Sequence, residues 1–174
     1  MVQGATRADS GGSSREYGMT FEISPPTAVR PGTPFTLPVI VAVRPVGSTR
    51  VSPGQQLVVN ISLRNEAGTA AVPGLIGTLT SSVRSRNGNT NNGYGRFSPL
   101  TITQPGRYRL RVMLGAATAS GVTTREYVDS GVIHVHGGAA PSQRPAPSQV
   151  SKLESLIPEN IDISAAEIAA WQRA

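Results

Sequence analysis

The chain has 174 residues, a formal charge of +6 and no cysteine. That length holds one ordinary domain with tails, and the missing cysteine excludes disulfides, thiolate chemistry and cysteine-ligated zinc. No apolar run approaches the roughly 18 residues of a membrane-spanning helix, so no membrane role is expected.

Residues 1–15 are rich in Gly, Ser and charge without periodicity, and read as a disordered N-terminal tail. The same stretch lacks the apolar core of a signal peptide, which reads as a protein not secreted by the ordinary route. Residues 16–136 then change to short apolar or alternating runs divided by Gly, Pro, Asn and Ser, the pattern of an all-β, Ig-like antiparallel sandwich. Seven strands are expected, in "MTFEI", "FTLPVIVAV", "QQLVVNISLRN", "LIGTLTSSV", "FSPLTIT", "GRYRLRVML" and "SGVIHVH". The second sits in "TPFTLPVIVAVRP", whose Pro34, Pro38 and Pro45 place it at a sheet edge or start it beyond Pro38. "SRNGNTNNGYG", residues 85–95, reads as a mobile insertion between strands. Residues 137–150 read as a Pro/Ala/Ser linker and 151–174 as a helical segment. Ser164 and Glu167 there spell a capping box, and Ile163 is spaced to staple onto Ile168. A helix of about ten residues does not persist alone, so Ile161, Ile163, Ile168 and Trp171 require a surface, on their own sandwich or on a partner's.

Of the 16 basic residues only Lys152 is not arginine, and residues 16–136 carry the whole charge excess. Guanidinium forks fit phosphates and carboxylates, so a nucleic acid or an acidic protein is a candidate partner, while ordinary solubility accounts for the charge equally well. In "GRYRLRV" strand alternation puts Tyr108, Leu110 and Val112 inward and Arg107, Arg109 and Arg111 outward, about 6.6 Å apart along one line. Such a row either bridges successive acidic groups or merely solvates a strand. His134 and His136 share a strand face, but the chain has no third histidine and no cysteine to complete a zinc site, so no metal is expected. The sequon "NIS" at 60–62 reads as an outward polar pair rather than a glycosylation site. No nucleophile elbow, P-loop or dinucleotide fingerprint occurs, so the chain reads as neither an enzyme nor a cofactor binder.

Three blocks, "GLIGTLTSSV", "GYGRFSPLTITQPGRYRLRVML" and "YVDSGVIHVH", occur in the order found in the second half of the velvet domain of fungal regulators. "MTFEISPPTAVRPGTPFTLPVIVAV" resembles that family's opening strand and its proline-rich approach to the next. The resemblance spans residues 17–136 and implies a Rel-homology-like sandwich, nuclear and cytoplasmic. It also implies a protein that dimerises with itself or another velvet protein and controls development, sporulation and secondary metabolism. In several members of the family this includes binding DNA. The family's DNA-contacting segment groups several basic residues around a Cys-Gly, whereas "PPTAVRPGTPF" offers only Arg30. DNA binding is therefore expected to be weak and to draw on Arg84, Arg86, Arg96, Arg107, Arg109 and Arg111 as well. An Ig-like adhesion module and a carbohydrate-binding sandwich are the rival readings. The first is opposed by the polar N-terminus and absent cysteines, the second by a single Trp, which lies in the tail.

Overall fold

The computed structural model describes residues 17–45, 56–86, 93–119 and 121–173. The expected N-terminal tail, residues 1–15, lies outside them. The described chain is mostly strand, arranged as an antiparallel β-sandwich with helices only at its C-terminal end. In chain order the elements are β1 (Tyr17–Ile23), β2 (Ala28–Val29), β3 (Val39–Pro45), β4 (Gln56–Asn65), β5 (Leu75–Gly77), β6 (Thr80–Ser82), β7 (Gly93–Phe97), β8 (Leu100–Ile102), β9 (Gly106–Thr118), β10 (Gly121–Asp129) and β11 (Ile133–Val135). Helix α1 (Pro147–Leu156), a 3-10 turn (Ile157–Glu159) and α2 (Ala165–Gln172) follow.

One sheet runs β1-β3-β7 and the larger one β2-β11-β9-β4-β6, with β10 also paired to β9 and β5-β8 forming a separate ribbon. Alternation in β4 and β9 sends Leu57, Val59, Ile61 and Leu63 together with Leu110, Val112 and Leu114 into the space between the sheets. There they meet Val39, Val41 and Val43 of β3 and Phe97 of β7. β3 differs from every other strand in being buried on both faces, because Ile40 turns the opposite way, into a second apolar cluster. That cluster joins Ile23 and Ile40 to Leu153, Leu156, Ile161, Ile163 and Ile168 of the C-terminal segment. Each fully buried Leu or Ile is worth about 1.5–3 kcal/mol relative to exposure.

The structure refines the strand assignments. β3 starts at Val39, immediately past Pro38, and lies in the middle of its sheet. The run expected as one strand at 75–83 is two, β5 and β6, divided after Gly77, whose φ is 129°. β7 begins at Gly93, inside the stretch read as a mobile insertion; residues 87–92 of that stretch lie outside the described residues. β2 and β10 are additional strands. β9 is an interior strand, since β4 covers one side along its length while β11 and β10 share the other. The span read as linker is only partly one, because α1 starts at Pro147, which fills the first helical position where its missing N–H costs nothing. What precedes α1 is held on the sandwich: Arg30 Nε donates to Ala139 O at 2.6 Å, and Thr36 and Gln143 exchange two hydrogen bonds, at 2.8 and 3.0 Å.

Gly95 of β7 is buried, and a Cβ there would run into Val59 Cγ2 of the opposite sheet. Gly95→Ala is therefore expected to push the sheets apart and destabilise the fold by about 1–3 kcal/mol, read as a lower midpoint in urea with an unchanged slope.

Candidate functional site

The outer face of the β1-β3-β7 sheet is the surface on which the candidate residues gather. Register pairs Ile40 with Arg96 and Ala42 with Tyr94, and an isolated bridge sets Arg84 opposite Tyr94. Directly opposed residues share a face, so Ile40, Ala42, Arg84, Tyr94 and Arg96 all point to the same side. Arg86, two residues beyond Arg84, joins them by alternation. The face is an apolar strip bordered by guanidiniums.

The C-terminal segment lies on this face and matches it in both respects. Glu159 holds Arg86 through two hydrogen bonds, at 2.7 Å to Nη2 and 3.2 Å to Nε, and accepts a third from its backbone N–H. Asp162 stands 3.9 Å from Arg84, and Glu167 3.6 Å from Arg96. Lys152 of α1 closes the far side with Glu22 at 2.8 Å. Between these pairs the isoleucines enter the second core. Asn160 and Asp162 adopt φ of 65° and 63°, left-handed turns that Asn and Asp tolerate better than most residues. They flank Ile161, and Ile161 and Ile163 are both buried. Ser164 Oγ then accepts from the Glu167 N–H at 3.1 Å and Glu167 Oε1 from the Ser164 N–H at 3.2 Å, the capping box expected from the sequence. Ile161, Ile163 and Ile168 are buried and Trp171 is half-buried against them, all on the chain's own sandwich.

The Arg107, Arg109, Arg111 row is not a uniform basic comb. Arg107 is exposed, but Arg109 donates to Glu66 O at 2.6 Å and to Ser130 O at 2.9 Å. Arg111 forks onto Asp129, Nε to Oδ1 at 2.7 Å and Nη2 to Oδ2 at 2.9 Å, and lies 4.1 Å over the Tyr127 ring. The hydrogen bonds that Arg111 donates to Asp129 raise its pKa against the opposing effect of burial. These two arginines fasten the β4–β5 connection and β10 to the face of β9, and neither is free to grip an outside ligand. Arg30, with its Nε on Ala139 O, lies apart from both groups on the approach to β3. His134 and His136 stack at 4.3 Å, and among the described residues no three His, Asp or Glu side chains come together to hold a metal.

Sequence reasoning placed the start of the helical segment at 151, and so missed the first turn of α1 and its separation from α2; it also missed the carboxylates of the C-terminal segment as partners of Arg84, Arg86 and Arg96. A signal for α1 exists in Val150, Leu153 and Leu156, three apolar residues at spacing three, after a proline at the first helical position. No family model matches the chain, and no curated protein matches its sequence.

Two outcomes follow from this geometry. Arg111→Ala should lower stability by about 1–3 kcal/mol in urea, because it strands Asp129, whereas Arg107→Ala should leave the midpoint unchanged. The hydrogen bond from Arg86 holds the Glu159 carboxyl below its ordinary value of 4.5. A carboxylate lowered in the folded state contributes stability that is complete above the ordinary value and is lost as pH falls through the lowered one. Docking of the segment, followed by Trp171 fluorescence at low salt, should therefore weaken as pH drops below about 4.5, and Glu159→Gln should shrink that component.

Proposed function

We propose that the chain is a velvet-like regulatory module without enzymatic activity, working through association with itself or with another velvet-type protein. It acts, on this reading, in transcriptional control of fungal development, sporulation and secondary metabolism, and divides between nucleus and cytoplasm. The blocks that resemble the velvet domain lie on β5–β9, the end of β10 and β11 of the sandwich.

The observation that carries the reading is the outer face of the β1-β3-β7 sheet, which holds an acidic, apolar helical segment through Arg84, Arg86, Arg96 and a strip of isoleucines. A sandwich with such a face is suited to recognising protein. DNA is the weaker candidate, because six of the seven arginines proposed to meet phosphate already face carboxylates or carbonyls of the same chain. Among the described residues no helix is long and apolar enough to cross a membrane.

Affinity capture of the full chain from fungal nuclear extract, with sedimentation of the purified protein, tests this. A second velvet-type chain in the captured fraction, or a concentration-dependent dimer, is expected. Duplex DNA should bind weakly, without sequence preference, and dissociate steeply as salt rises. A strictly monomeric chain that captures no velvet-type protein, or one that binds a defined duplex tightly at physiological salt, would overturn the reading.

A further inference from the structure

A cavity of about 440 Å³ beside Gln143 and a smaller one of about 160 Å³ beside Arg86 flank the docked segment, but the first opens onto prolines and the second is occupied by the Arg86–Glu159 fork. A third, of about 330 Å³, is built differently. It lies where the edge strand β6 of the large sheet comes beside β7, and Arg84, Arg96, Thr80, Ser82, Ser98 and Asp162 line it. Two guanidiniums, which only donate, share this lining with hydroxyls that can donate or accept and with the Asp162 carboxylate.

The two guanidiniums are under-used. Charge-assisted N–H···O bonds close to about 2.7–2.9 Å, as Arg86–Glu159 and Arg111–Asp129 do at 2.7 Å. Arg84 stands 3.9 Å from Asp162 and Arg96 3.6 Å from Glu167, neither at bonding distance. Arg96 Nε is moreover buried without a partner. A buried guanidinium donor without a protein partner is a group that a bound acceptor would satisfy. Arg84 is opposite Tyr94, and Arg96 is two residues further along β7, so the two arginines are diagonal neighbours about 7–8 Å apart at their backbones. That spacing lets both forks reach the oxygens of one tetrahedral anion.

We propose that this cavity binds a phosphomonoester dianion, held by Arg84 and Arg96 with the hydroxyls of Thr80, Ser82 and Ser98, and that the anion competes there with Asp162 and Glu167. A dianion presents three acceptor oxygens and a charge that matches two guanidiniums, which a single carboxylate does not. Binding would then draw the arginines off the C-terminal segment and loosen it. This site does not rest on the regulatory reading above and stands or falls separately.

The test is calorimetric titration of the full chain at low ionic strength with inorganic phosphate, phenyl phosphate and dimethyl phosphate, against chloride at matched ionic strength. Saturable one-site binding of the first two is expected, with dimethyl phosphate at least about tenfold weaker, the difference of one charge-assisted contact. Arg84→Gln should weaken phosphate about tenfold or more, and Asp162→Asn should tighten it by removing the competitor. Both side chains are well exposed, so neither change threatens the fold, and circular dichroism verifies this. Phenyl phosphate binding as well as phosphate marks a site open to substituted phosphomonoesters, and phosphate binding alone marks a site for the free ion; either supports the proposal. Equal affinity for the diester, undiminished binding by Arg84→Gln, no gain in Asp162→Asn, or no signal above chloride overturns it.

Discussion

Five consecutive apolar residues, Val39 to Val43, set the constraint on which the rest of the molecule depends. Side chains of a strand alternate, so a run that is apolar at every position must be covered on both faces. The large sheet covers one face through β4 and β9. Among the described residues no second sheet packs over the other. Leu153, Leu156 and the isoleucines of the C-terminal segment do so, and Ile23 and Tyr94 complete the enclosure. The helices are thus a third layer of the fold rather than an appendage, and the ion pairs along their border fix which way they lie.

Charge works in the same direction. The excess of arginine in residues 16–136 suggests an external acidic partner, yet much of it is answered inside the chain. Glu159, Asp162 and Glu167 bring the complementary charge from a segment 71 or more residues further along. Most of these contacts are partly exposed and individually contribute little, about 0–1 kcal/mol. Their value is in register: an amphipathic helix can rotate or slide on an apolar strip, and a border of paired charges removes that freedom.

The parts of the fold written locally were legible and those written by distant partners were not. β4 shows strict alternation in eight residues, and the Ser164–Glu167 box closes within one helical turn, so both could be read from adjacent letters. β10 could not, because Val122 and Thr124 are exposed and its strand state comes from hydrogen bonding to β9. The alternation of Arg107, Arg109 and Arg111 was equally plain, but their fate was decided elsewhere. Glu66 lies 43 residues before Arg109, and Asp129 18 residues after Arg111. Periodicity reports which way a side chain points and is silent about what waits there. α1 was hidden by composition, since "PSQVSKLESL" carries more polar residues than apolar ones.

The reciprocal bonds between Thr36 and Gln143, with Arg30 on Ala139, divide the C-terminal region into two parts of unequal durability. Backbone that precedes Gln143 is tied to the sandwich by hydrogen bonds, whereas α1 and α2 are tied by side chains alone. Local opening starts where interactions are fewest and stops where the backbone is anchored. By that rule the helices should open first, as a unit bounded just after Gln143, and their amides should exchange with solvent ahead of those of β9, which β4 encloses on one side and β10 and β11 on the other.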